Sequence, residues 1–361
     1  MSQKPKKPFL PTWLSVTLAV TFITTGIIVS VFIFMTAEAV MAAANRPFNP
    51  LEEAGREAAA TTLPPLVQEG AIPVPSSEPG EPTPTPIPLG SEALEDNRIT
   101  ILIMGIDRRP GEPFISRTDT MMLLSVNQET GQGALLSIPR DLYVVIPGRG
   151  RDRINTAMVY GSSGNNPAGG AALAMQTIEY NLGVPVDHYF MVDFNTFIRA
   201  VDTIGGITVD VPYDINDPLY PDMNYGFDPL YIPAGTHHFD GQQALKYART
   251  RHQDNDFYRA QRQQQVLMAI RSQILSMGVD NMLQQIPVLY QQFRDGVRTD
   301  LSLTEILQLA NLARTIETEN INRAVLDHNY VVNHRTEGGA SVLVLINDKA
   351  APLIQELFYA E

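Results

Sequence analysis

Between Trp13 and Met35 the chain runs 23 positions without a charged residue, the pattern of a membrane span. Rich in Val, Ile, Phe and Thr, it is long enough to cross about 30 Å of hydrocarbon as a helix. Lys4, Lys6 and Lys7 precede it. A short basic leader favours the cytoplasmic side, so the expected order is a cytoplasmic tail at 1–12, a transmembrane helix at 13–35 and an extracytoplasmic remainder. The small residues Ala37-Glu38-Ala39 and Ala42-Ala43-Ala44 also fit signal cleavage. A secretory apolar core, however, runs about 7–15 residues, so a retained anchor is expected.

Eleven prolines follow between Arg46 and Gly90, including Pro79-Gly-Glu-Pro-Thr-Pro-Thr-Pro-Ile-Pro88. Proline at that density favours extended polyproline II, and residues 36–96 are therefore read as a semi-rigid linker. The folded domain is expected over 97–361, ample for a hydrophobic core. Cysteine is absent, which excludes disulfides, thiol nucleophiles and cysteine-ligated metals. A formal net charge of -13 argues against nonspecific nucleic-acid binding, which depends on many neutralised phosphates. Only five lysines occur, three of them in the leader, so beyond the membrane positive charge means arginine.

Within the domain, Ile99–Ile106 reads as a strand buried on both faces. Met121–Val126 and Ala134–Ile138 read as the next two strands, joined by turn chemistry at Asn127–Gly133. Helical and strand patterns then alternate: helix 169–182, strand 188–192, helix 195–204 stopped by Gly205-Gly206, and strand 207–211. Pro212–Asp240 is a long excursion rich in Pro, Asp and Tyr. Helices at 241–248, 256–277, 281–293 and 302–318, strands at 322–326 and 341–346, and a closing helix complete the chain. The order predicts a three-layer α/β/α domain with a mixed central sheet.

Connectivity alone gathers charge at one end of that sheet. The first strand ends at Asp107, the second starts just after Asp119, and a hairpin returns the third to the same end with Arg140. Ligands of open α/β sheets favour the crevice beyond strand ends. Asp107 and Asp119 are oxygen ligands suited to Mg²⁺, while Arg109, Arg117 and Arg140 present donor forks that match phosphate oxygens. Ion pairs capping strand ends are the plainer alternative for any single pair, but five such residues at one edge favour a site.

A second cluster lies at Arg249–Gln264, with arginines at 249, 251, 259 and 262. Asp254 or Asp256 is expected to cap a helix on which Arg259, Arg262 and Gln263 share a face, with Val266, Ile270 and Ile274 on an apolar one. An excess of guanidinium in an acidic protein points to an external anion. Gly161-Ser-Ser-Gly164 lacks the setting of a nucleophile elbow and reads as a loop. His237-His238 reads as a loop pair rather than a metal site. No Gly-Lys-Ser/Thr phosphate loop is present, which disfavours an ATP-driven enzyme.

Taken in order, Ile101-Leu-Ile-Met-Gly-Ile-Asp107-Arg-Arg109, Arg117-Thr-Asp119-Thr, Ser137-Ile-Pro-Arg140-Asp141, Arg153-Ile-Asn155, Gly205-Gly206, Ala244-Leu-Lys-Tyr-Ala-Arg249-Thr-Arg251 and Asp254-Asn-Asp-Phe-Tyr-Arg259-Ala-Gln-Arg262-Gln263-Gln264 resemble the LytR-CpsA-Psr family of envelope phosphotransferases. Arg108 and Tyr258 depart from the expected pattern. The resemblance implies transfer of a phosphate-linked glycopolymer from a polyprenyl diphosphate carrier to a peptidoglycan hydroxyl outside the membrane. It implies Mg²⁺ on Asp107 and Asp119, and the diphosphate on Arg117, Arg140, Arg249, Arg251, Arg259 and Gln263. Asp107, Asp119 and Arg140 are the expected catalytic residues, with Asp107 the first choice of base for the acceptor hydroxyl. An apolar cleft between sheet and helices would take the lipid tail. A polyprenyl-diphosphate hydrolase and a noncatalytic lipid-binding envelope protein are the alternatives.

Overall fold

The computed structural model describes residues 87, 97–108, 112–222, 226–251, 255–278 and 295–359. The apolar span at 13–35, the linker and the helix expected at 281–293 lie outside the described residues. Among the described residues no helix is long and apolar enough to cross a membrane.

Three consecutive strands set the frame. β1 (Arg98–Ile106) pairs antiparallel with β2 (Thr118–Asn127), and β2 pairs antiparallel with β3 (Gly133–Ser137). Asn127 makes the β2–β3 turn tight, because its carboxamide oxygen accepts from the backbone of Glu129 and Thr130. β6 (His188–Asp193) then adds parallel to β1, β11 (Val297–Thr299) adds antiparallel to β6, and β12 (Ile321–Val325) adds parallel to β3. The six-stranded order is β11-β6-β1-β2-β3-β12, a mixed sheet.

Strand alternation sorts the side chains into two faces. Leu102, Met104, Leu123 and Leu136 are fully buried on one face. They pack with α2 (Pro167–Leu182) through Ala171, Ala174 and Ile178, and with α7 (Asn347–Phe358) through Ile354 and Phe358. Each such aliphatic side chain contributes about 1.5–3 kcal/mol. On the opposite face, Ile103, Leu124, Phe190 and Val192 remain only half-buried. At the β3 edge of that face, Gln264 of α5 (Asp256–Met277) donates to the Ser137 hydroxyl and the Ala324 carbonyl, so helices meet the sheet on both sides.

A second apolar cluster joins α3 (Phe194–Thr203), β7 (Ile207–Val211), α4 (Gly241–Arg249) and α5, centred on Val201, Val209, Tyr247 and Val266. Ile270 and Ile274 pack against it, as their helical spacing predicts. Gly205 and Gly206, with φ of 82° and 86°, turn the chain out of α3. Residues 302–313 belong to a second compact unit. They hold most of α6 (Leu303–Thr315), whose start is closed by a capping box: Ser302 donates its backbone N–H to Glu305, and Glu305 donates to the Ser302 hydroxyl.

Several elements depart from the sequence expectation. The Pro–Asp–Tyr excursion is partly ordered: β8 (Ile215–Asp217) pairs with β9 (Leu230–Ile232), and β10 (Gly235–Phe239) returns to β7. His237 and His238 therefore lie on a strand, not in a loop, where their Nε2 atoms stand 2.8 Å and 2.9 Å from the Pro233 and Gly205 carbonyl oxygens. The hairpin of β4 (Tyr143–Ile146) with β5 (Gly150–Arg153), and that of β13 (Val331–Arg335) with β14 (Ser341–Leu345), widen the domain. Gly161 closes the short α1 (Ala157–Gly161), and Ser162–Gly164 form the loop expected there.

That α1 crosses α2 at glycines. A Cβ on Gly170 would lie 2.5 Å from the Met158 carbonyl oxygen, which no rotamer change relieves. Gly170→Ala is therefore expected to lower stability by about 1–3 kcal/mol in denaturant unfolding, whereas Gly338→Ala, with its nearest neighbour at 3.9 Å, leaves it nearly unchanged.

Candidate functional site

The register of β1 on β2 contains one irregularity, and it falls at the site. Gly105 pairs with Thr120 and Ile106 with Thr118, so Asp119 is the extra residue of a bulge. Bulges re-aim a side chain out of the strict in–out alternation. Asp119 thereby presents a carboxylate at the sheet end where Asp107 follows β1 and Arg140 follows β3.

Arg140 is the hub. Its Nη1 donates to Asp119 at 2.6 Å, and its Nε lies 3.5 Å from Asp256 and 3.6 Å from Asp141. Asp141 in turn pairs with Arg153 at 3.2 Å. Asp256 pairs with Arg259 at 3.3 Å, and Arg259 also donates to the Asp119 carbonyl oxygen at 3.4 Å. On the other flank Arg249 donates to Asp107 at 3.1 Å and stacks 4.5 Å from the Phe194 ring centroid.

The two central guanidiniums are both desolvated, with opposite net outcomes. Burial works against charge on Arg140, but the bond and charge of Asp119, with Asp256 and Asp141, raise its pKa above the ordinary arginine value. Arg259 is held below that value: burial is the main cause, and Arg140 and Arg251 add to it against Asp256 and Asp119. Only 8% of Arg259 is exposed. A desolvated guanidinium beside a second guanidinium is stabilised by further negative charge.

Local helix chemistry delivers these groups. Asp240 and Gln243 form a capping box that starts α4. α5 is capped by Asn255, whose side chain accepts from Phe257 and Tyr258, not by Asp256. Asp254 lies outside the described residues, as does Arg109. Asp256 is thereby left for Arg140 and Arg259.

The structure brings Asp107, Asp119, Arg140, Arg249 and Arg259 to the site, and Arg251 is exposed beside it. Arg117 is exposed and near Tyr160, whose phenol pKa is raised chiefly by its bond to Asp152, with Arg117 opposing. Two expected diphosphate ligands point elsewhere. Arg262 is buried, with its guanidinium donating to the Tyr247 carbonyl at 3.1 Å and to the Thr250 carbonyl, while Gln263 donates to the Ala248 carbonyl at 3.3 Å. These are the orphan carbonyls at the end of α4, where a cation also suits the helix dipole. The shared helix face inferred from spacing does not hold at these distances, because α4 occupies part of it. Asp141, Arg153 and Asp256 are members that residue-type reasoning left unassigned. Their signal is adjacency to Arg140 or to a helix start.

Among the described residues no three His, Cys, Asp or Glu side chains converge as a protein-only metal site. Asp107 and Asp119 side chains are 36% and 33% exposed, and each meets a guanidinium through one identified oxygen. Mg²⁺ held by one or two carboxylates, waters and substrate phosphates fits such a pair.

A mixed α/β domain with an arginine–aspartate cluster at the end of its sheet is the class the geometry defines. The chain belongs to the LytR_cpsA_psr family, whose model matches residues 78–358. It is 35% identical over 217 residues to the polyisoprenyl-teichoic acid–peptidoglycan teichoic acid transferase TagU of Oceanobacillus iheyensis, covering 60% of this chain and 62% of that protein. It is 37% identical over 175 residues to TagT of Bacillus subtilis, covering 47% and 51%. The match thus spans less than two-thirds of these relatives. Among solved structures, TagT bound to LIIa-WTA superposes with a TM-score of 0.58 at 26% identity, covering 75% of this chain and 93% of that one. B. subtilis TagV gives 0.57 at 26% identity, covering 73% and 98%.

Arg262 and Arg251 should separate structure from binding. Arg262→Ala is expected to lose about 2–3 kcal/mol in chemical denaturation, the order of charged hydrogen bonds to buried carbonyls. Arg251→Ala is expected to keep stability but to weaken pyrophosphate binding about tenfold by calorimetry, the worth of one charge-assisted hydrogen bond.

Proposed function

We propose that this protein transfers a phosphate-linked glycopolymer from a polyprenyl diphosphate carrier to a peptidoglycan hydroxyl outside the membrane. The observation that carries the reading is the pair of adjacent guanidiniums at the sheet end: Arg259, nearly buried on α5, beside Arg140, the two sharing Asp256 and Asp119. The names of the TagU and TagT relatives agree with it. So does the half-buried apolar strip of Ile103, Leu124, Phe190 and Val192 on the sheet face that α5 only partly meets, which suits a polyprenyl tail. In this reading the domain is a three-layer α/β/α unit, tethered by a membrane helix at 13–35 through the linker at 36–96.

The chemistry needs no covalent protein intermediate. The acceptor oxygen bonds to the phosphorus that carries the glycopolymer, the bond from that phosphorus to the bridging oxygen breaks, and polyprenyl phosphate leaves. Arg140, Arg249, Arg251 and Arg259, with Arg109 and Arg117, hold the diphosphate and neutralise the charge that grows on it. Asp107 is the base we assign to the acceptor hydroxyl proton, oriented by Arg249. Mg²⁺ held by Asp107, Asp119 and substrate phosphates would add Lewis-acid charge neutralisation.

In single-turnover assays with lipid-linked donor and peptidoglycan fragments, Asp119→Ala and Arg140→Ala are each expected to slow transfer by about 10²–10³-fold. Wild-type rates in both variants would exclude this mechanism. Equal carrier release with and without acceptor would instead assign a hydrolase.

A further inference from the structure

Outside the anion site, the most unusual surface is the excursion between β7 and β10. Ten large apolar side chains among the described residues stand exposed, and four of them, Tyr213, Leu219, Phe227 and Tyr231, fall within it. Phe227 at 64% and Tyr231 at 62% are the most exposed of the ten. Phe227, bridged to Pro221, and Tyr231, paired with Asn216, lie four residues apart on one arm of a hairpin, and exposed aromatics so placed mark an interaction surface.

The surface is joined rigidly to the arginine junction. Asp228, next to Phe227, accepts from Lys246 at 2.5 Å, and Lys246 sits one helical turn before Arg249. Asp217 is fully buried and accepts from the Thr250 hydroxyl at 2.6 Å and the Arg251 backbone at 3.4 Å. The excursion is thereby tied to the end of α4, from which Arg249 and Arg251 extend.

Charge selects the occupant. Between Arg199 and Lys246 there is no lysine or arginine, while aspartates stand exposed at 202, 210, 214, 228 and 240, of which Lys246 offsets Asp228. Such a field repels a phosphate-bearing donor and an anionic lipid surface alike. A neutral, hydroxyl-rich glycan suits it, because aromatic faces stack on the C–H faces of sugar rings and carboxylates accept from sugar hydroxyls.

We propose that Phe227 and Tyr231, on the excursion at 212–232, form the docking surface for the acceptor glycan strand. The acceptor role rests on the transferase reading; the glycan contact does not. Two surfaces of opposite character then flank the reacting phosphorus, a basic one for the donor and an acidic aromatic one for the acceptor.

The test uses full-length protein in nanodiscs and chitohexaose as a neutral glycan probe. Against wild type, the Phe227→Ala/Tyr231→Ala double variant is expected to bind chitohexaose at least about tenfold more weakly, as loss of two interface aromatics implies, with pyrophosphate binding unchanged. Val332→Ala, removing a distant exposed apolar side chain, is expected to bind as wild type. In the transfer assay the double variant should raise the KM for acceptor and keep kcat. Weaker glycan binding without any transfer activity in wild type would uphold this surface while removing the transferase reading. Wild-type protein that ignores chitohexaose, a double variant that binds it normally, or a defect confined to phosphatidylglycerol vesicles would overturn the proposal.

Discussion

The buried guanidinium of Arg262 is the contact on which the site's geometry hangs. By bonding the last carbonyls of α4 from a position inside α5, it fixes the angle at which one helix ends and the next begins. Arg249 and Arg251 leave that junction on one side, and Asp256 and Arg259 leave it on the other. Gln263 adds a second bond to the same helix end, and Asp217 ties the outer side of the junction to the excursion. A charge taken out of water is normally costly, and here the cost is offset by acceptors that would otherwise be orphaned at a helix terminus.

Around this frame, positive and negative groups alternate rather than segregate. Asp119, Arg140, Asp256 and Arg259 form a continuous chain, with Asp141 and Arg153 as a branch. Through these pairs the carboxylates hold the arginines in place. A diphosphate would displace part of that internal pairing, so its binding energy is a difference between external and internal partners rather than a sum of new contacts.

Much of the frame was legible because the relevant signals are local. The apolar run at Ile99–Ile106, the Asn127 turn and the Gly205-Gly206 stop each specify their structure within a few residues, and the hairpin that brings Arg140 back to Asp119 follows from them. The helix at 256–277 was read with its observed bounds. Side-chain direction was not legible. Arg259 and Arg262 are three residues apart on one helix, yet one faces the sheet edge and the other the end of α4. Only the packing partner distinguishes them. The strands of the excursion were missed for a related reason: β8, β9 and β10 are short and interrupted by Pro and Asp, and they are held by pairing with distant partners rather than by propensity.

The bulge at Asp119 has a consequence for how such a domain diversifies. A strand counts its residues by two, and every position in that count is committed either to the core or to the opposite face. Asp119 stands outside the count. Its side chain can be exchanged without altering which neighbours fill the interior, so the chemistry at this sheet end is written on a position that the folding of the sheet does not read.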